Sequence, residues 1–155
     1  MNWDAFTRFS SLDIQLHWAT ATLAFAVGLG QLLLAKGTTR HRLWGRAYVV
    51  LMIVTAVAAF FIRSPAPTGP MGYLSLGGTS WIHLFVPLTL TAVPLGLLAA
   101  RRGNIKAHER HMVGSFLGAL VIAGAFTFVP GRRMHLLVFG DEAEVARWEE
   151  WFEDD

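Results

Sequence analysis

The stretch LHWATATLAFAVGLGQLLLAKGTTRHRLWGRAYVVLMIVTAVAAFFI, residues Leu16–Ile62, decides the fold of this chain. It holds two apolar runs, about Leu16–Ala35 and Leu43–Ile62, joined by the basic segment Lys36–Arg46. Each run is close to the ~20 residues that cross a bilayer as a helix. A charged connection this short makes the pair a helical hairpin.

The rest of the chain repeats the pattern. Further apolar runs occupy about Trp81–Ala100 and Met112–Val129. Mean hydropathy is +0.44, 54% of the 155 residues are hydrophobic and 15% are charged. A soluble domain carries about 25% charged residues, so the deficit places the chain in a membrane. Turn-rich RSPAPTGPMGYLSLGGTS separates the second and third runs and reads as a loop.

Basic residues give the direction. Lys36, Arg40, Arg42 and Arg46 follow the first span, and Arg101, Arg102, Lys106 and Arg110 follow the third. Those eight are most of the 13 Lys and Arg residues. Both clusters lie on one side, which the positive-inside rule makes cytoplasmic. The expected architecture is all-α: an antiparallel four-helix transmembrane bundle in the bacterial cytoplasmic (inner) membrane, with both termini outside. Residues 1–140 form the transmembrane domain and residues 141–155 an acidic tail. Short connections put spans one and three diagonally opposite, and likewise two and four. Gly114 and Gly118 form a GxxxG pair suited to close helix contact. Pro87 and Pro94 are expected to bend span three.

Several classes are excluded. The chain has no cysteine, so disulfides, iron–sulfur clusters and covalent c-type haem are impossible. No charged residue occupies a span centre, against a proton-coupled transporter or a voltage sensor. No Ser–His–Asp set, phosphate loop or HExxH motif occurs. The basic balance belongs to loops and offers no nucleic-acid surface. The start, MNWDAFTRFSSLD, lacks the basic n-region of a signal peptide and is expected to remain in the mature protein.

The six histidines fall into two layers. His17 and His83 open spans one and three at the outer face. His41 and His111 sit at the inner face before spans two and four, with His108 one turn before His111. His135 follows span four. Imidazoles on diagonal helices can hold one iron from two sides, with a flat macrocycle between them. Helix N-termini favour the neutral ring that ligation needs. Small residues line the His17 face (Ala21, Ala24, Gly28) and the His111 face (Ser115, Gly118). Arg40, Arg42 and Arg46 inside, and Arg132 outside, are placed to meet propionates. The reading is two b-type haems, ligated by His17 with His83 and by His41 with His111 or His108. The chain would be an electron-transfer protein, an oxidoreductase component that exchanges electrons with a quinone or a redox protein. Three alternatives stand beside it. His41, His108 and His111 could hold zinc or copper. The bundle could be a non-catalytic subunit, either a homo-oligomer or part of a larger membrane complex. No cofactor need bind, because histidine is ordinary at membrane interfaces.

The tail DEAEVARWEEWFEDD carries a plausible N-cap at Asp141 and an apolar stripe of Val145, Trp148, Trp151 and Phe152. Eight carboxylates favour packing on protein over packing on lipid.

The motifs KGTTRHRLWGR, WIHLFVPLTL, AHERHM and PGRRMH, in that order, resemble a family of small bacterial four-span membrane proteins of unknown function. The resemblance covers roughly Ile14–Gly140 and leaves out the tail; it implies topology and no activity. A looser architectural likeness is to transmembrane di-haem b-type cytochromes, whose four-helix cores carry histidine pairs near each face.

Overall fold

A computed structural model describes residues 1–62, 75–76 and 79–153, with side chains excepted at 75–76, 79–81 and 151–153. Most of the expected loop Arg63–Ser80 lies outside the described residues, as do the side chains of Trp151 and Phe152. The described chain is helical apart from a two-residue antiparallel pairing, Ser75–Leu76 with Thr79–Ser80.

Three helices are long and apolar enough to cross a membrane: Leu12–Leu33, Thr39–Phe61 and Ile82–Arg101. We label the first two α2 and α3. The third begins with the 3-10 turn Trp81–Leu84 and continues as α4, Phe85–Arg101. The fourth apolar segment is helical throughout but changes register. It runs as α5 (Ile105–Ser115), a π-helical stretch (Phe116–Ile122) and α6 (Ala123–Phe126). No single regular stretch within it reaches the length of the others.

The helices start earlier than hydropathy suggests. α2 begins four residues before Leu16, α3 at Thr39 and α5 at Ile105. Arg40, His41, Arg42 and Arg46 are therefore the first two turns of α3. The connection is only Leu34–Thr38, closed by Gly37 at φ 74°. Local chemistry fixes both sides of it. The Lys36 Nζ donates to the Gln31, Leu32 and Leu34 carbonyls at the end of α2, and the Thr38 hydroxyl accepts from His41 N at 3.1 Å. These are the groups that helix ends leave without intrahelical partners.

The order of contacts is α2 on α3, α3 on α4, α4 on α5, and the π stretch back on α2 and α4. Gln31 near the end of α2 meets His41 near the start of α3, so those two helices are antiparallel. His108 on α5 meets Gly96 on α4 in the same sense. The core joins all four segments through Ala24, Tyr48, Met52, Val93, Phe116 and Leu120. Many large apolar side chains point outward, among them Leu23, Val50, Phe60, Leu88 and Val121. Such faces on span-length helices contact lipid.

One expectation about small residues is corrected. Gly114 has nothing near its missing side chain, so no GxxxG contact forms within the chain. The close approach is at Gly28, where an added Cβ would meet the rings of Phe116 and Tyr48. The small face of α2 is thus filled at mid-depth by aromatic side chains of its neighbours. Both prolines lie within α4, Pro87 just after the 3-10 turn and Pro94 in the interior.

The end of the molecule that carries both termini has a cap of three helices: α1 (Trp3–Arg8), α7 (Arg133–Phe139) and α8 (Glu142–Glu153). Asn2 ties α1 to α7. Its backbone N–H donates to the Leu137 carbonyl, and its side chain donates to those of Leu136 and Gly140. Asp141 caps α8 by accepting from Glu144 N at 2.8 Å, as its sequence position suggests. α8 packs on protein: Arg8 pairs with Glu149, Trp148 lies against Phe9, and Glu144 faces His135 at 3.2 Å. The interior of the cap is apolar, with Leu136 and Leu137 fully buried. Leu136→Ala should therefore destabilise the protein by about 2–5 kcal/mol, whereas Arg8→Ala, which removes an exposed ion pair, should stay within about 1 kcal/mol. Thermal unfolding in detergent would compare them, and equal effects would mean that the cap does not pack as described.

Candidate functional site

Beneath the cap lies a cavity of about 1120 Å³. That exceeds the ~300–1,000 Å³ of ordinary small-molecule pockets. Its walls come from α2 (His17, Trp18, Ala21, Phe25), α3 (Met52, Thr55, Ala59), the start of the third span (His83, Phe85, Thr89) and the π stretch with α6. Arg132, Arg133, His135, Glu144 and Trp148 line it from the cap.

His17 and His83 both line this cavity, and their rings are close enough to interact electrostatically. Each is anchored through one ring nitrogen. His17 Nδ1 lies 2.9 Å from the Thr55 carbonyl, and His83 Nε2 lies 3.0 Å from the Ile62 carbonyl. A carbonyl only accepts, so those nitrogens carry the hydrogen; the neutral His17 ring then keeps its lone pair on Nε2. A backbone carbonyl on one nitrogen is the usual orienting partner of an imidazole that ligates through the other. Thr55 adds a second tie: its hydroxyl donates to Thr20 Oγ1 at 2.9 Å, joining α2 and α3 beside His17.

The cap contributes positive charge. Burial pushes the Arg132 guanidinium pKa below its ordinary value. It does the same for Arg133, where nearby Asp13 opposes the shift and Arg132 reinforces it. Arg133 Nε donates to the Phe9 carbonyl at 2.7 Å, and its guanidinium lies 5.5 Å from the Trp148 ring centre. Arginine stays charged, so the cap presents two half-buried guanidinium groups to the cavity, with the His135–Glu144 pair beside them.

At the opposite, basic end, of the two pairings left open, His41 with His108 is the one in ring contact. His41 meets His108 with ring centroids 6.3 Å apart and planes at 85°. His108 Nδ1 donates to the Gly96 carbonyl at 2.9 Å. His111 lies one turn further along α5, its Cβ against Gly96. The three histidines do not gather into one set: among the described residues, no group of three His, Asp or Glu side chains is placed to hold a metal ion. Neither His41 nor His108 lines the cavity under the cap. Arg40, Arg42 and Arg46 are exposed. Arg42 Nη1 donates to the Gly37 carbonyl at 2.9 Å, and so fastens the turn.

The α1 and α7 parts of the cap escape a hydropathy reading, because they are six and seven residues long. The available signal was the doubled arginine followed by MHLLVF, which puts apolar residues on one face behind a cationic start.

Length, apolarity and lipid-facing surface define an integral membrane protein of helical class. The chain belongs to the family described as predicted membrane protein DUF2306, which matches residues 14–152. The match includes most of the acidic tail, which the sequence resemblance had left outside. No curated protein and no solved structure matches the chain.

Proposed function

We propose that this protein is a membrane electron carrier that binds a b-type haem in the cavity under the cap, where His17 and His83 would hold the iron. The observation that carries the proposal is that two carbonyl-anchored imidazoles line one cavity of macrocycle size, with two half-buried arginines on its cap side. The donor chemistry fits the group. Neutral imidazole is the required ligand, aromatic walls suit the macrocycle, and Arg132 and Arg133 suit propionates. Bound there, the iron would supply one-electron redox chemistry.

The chain's own part is to hold and to exclude. The Thr55 and Ile62 carbonyls fix the two ring orientations. Trp18, Phe25 and Phe85 give the cavity aromatic walls, and the cap lines one end of it. The four helical segments act together as one antiparallel transmembrane bundle. The basic turns face the cytoplasm of a bacterial inner membrane, and the cap faces out. A quinone or a redox protein would exchange electrons at the cap. A scaffold role through the tail is less well supported, because Trp148 already packs on Phe9 and Arg133 of the same chain.

The test is the absorption spectrum of detergent-purified protein, oxidised and dithionite-reduced, with haem counted per chain. The expected result is a Soret band that shifts on reduction, at one haem per chain. A flat visible spectrum from haem-replete cells would refute the proposal.

A further inference from the structure

The basic end holds polar atoms that the fold leaves without partners. Gln31 Oε1 and His41 Nδ1 are both sealed from solvent, and neither has a hydrogen-bond partner. Buried polar atoms are nearly always bonded to something, so an unpaired one calls for an explanation such as a water or an ion. These two belong to one place, since Gln31 Nε2 donates to the His41 carbonyl at 3.1 Å. That bond settles which end of the amide is nitrogen and leaves its oxygen facing no donor.

The third member is His108. Its Nδ1 is spent on the Gly96 carbonyl, so the neutral ring offers its Nε2 lone pair. The rings of His41 and His108 stand 6.3 Å apart, centroid to centroid. Two imidazoles on one tetrahedral ion, with metal–nitrogen bonds of ~2 Å, have centroids about 5 Å apart, so an approach of about 1 Å would bring both rings onto an ion. The Gly96 contact is again the outer partner that steadies a ligating histidine.

We propose that His41 Nδ1, His108 Nε2 and Gln31 Oε1 form a site for one divalent transition-metal ion, with α2, α3 and α5 each giving one donor. Two imidazoles and an amide oxygen suit zinc or copper(II), and do not suit the oxygen-only shells of calcium and magnesium. His111, on the Gly96 side, is outside the set. The nearby cations do not enter it: Lys36 is turned onto three carbonyls and Arg42 onto the Gly37 carbonyl. The site stands apart from the haem proposal, in the other half of the molecule and on other residues.

The experiment uses the full chain in detergent, stripped with chelator and titrated with zinc chloride. Calorimetry and elemental analysis give affinity and stoichiometry. One zinc per chain is expected. His41→Ala and His108→Ala should each weaken binding at least about tenfold, while His111→Ala should bind as the parent does. Gln31→Glu is close in shape and replaces an amide oxygen with a carboxylate, so it should tighten binding; a misfolded variant could not mimic that gain. Absence of zinc binding by the parent would overturn the proposal and assign the unpaired atoms to water. Undiminished binding in a His41→Ala/His108→Ala double variant would overturn it as well. The readout is zinc, so a colourless protein that binds one zinc refutes the haem and keeps this site, and a haem protein without zinc does the reverse.

Discussion

His17→Ala and His83→Ala should each purify with less than about a tenth of the parent's haem, although the protein still inserts and folds. Removing either imidazole leaves the cavity and both arginines in place, so apolar binding survives but iron ligation does not. The stated geometry adds a gradation. Replacing Arg132 or Arg133 by Gln should weaken haem retention without abolishing it, since each offers one charge-assisted contact worth about 1.5–3 kcal/mol. His41→Ala and His111→Ala, at the far end, should keep full absorbance. Haem per chain from pyridine haemochrome spectra separates these outcomes. Full retention in both His17→Ala and His83→Ala would mean that the cavity histidines serve only as helix staples through the Thr55 and Ile62 carbonyls.

That alternative shows what the sequence could disclose. The residues His17 and His83 were legible as a pair at one end of the molecule because hydropathy places the spans and alternation of direction places their ends. Hydropathy cannot see which nitrogen of a ring is occupied. Nor could it choose between His108 and His111 at the inner end. They lie one turn apart on α5, and the choice rests on which of them α4 receives: Gly96 accepts a hydrogen bond from the first and packs against the Cβ of the second. The helix starts were set too late for a related reason. Arg40, Arg42, Lys106 and Arg110 interrupt the apolar run, but a charged side chain outside the bilayer is no obstacle to helical backbone. The fourth segment was legible as an apolar run, while its π register depends on packing that no periodicity reports. The α1 and α7 parts of the cap were invisible because short helices gain their stability from tertiary contact, here Asn2 with the end of α7; α8 was legible from its Asp141 cap and from Trp148.

The sequence pointed to GxxxG at Gly114 and Gly118 as the close contact, and the structure moves that role to Gly28; the difference has a large measurable consequence. A Cβ built at Gly28 would lie 2.6 Å from Phe116 and 2.8 Å from Tyr48. Neither ring can easily give way. Phe116 is stacked on Phe25 at 5.5 Å, and both Phe116 and Tyr48 are buried in the core that joins the four segments. Alanine in a helix gains roughly 0.5–1 kcal/mol over glycine, but overpacking costs about 1–3 kcal/mol, so Gly28→Ala should lower stability and Gly28→Leu should prevent folding. At Gly114 nothing lies within 4 Å; there the propensity gain is unopposed, and Gly114→Ala should be neutral or slightly stabilising. Gly96 falls between them. Its nearest neighbour is the terminal methyl of Met112 at 2.5 Å, which can swing aside, although the His111 Cβ at 3.0 Å cannot. The order of thermal stability in detergent should therefore run Gly114→Ala, Gly96→Ala, Gly28→Ala. If Gly28→Ala proved as stable as Gly114→Ala, the Phe116 ring could not be seated on α2, and the π stretch that delivers it would have to be placed differently.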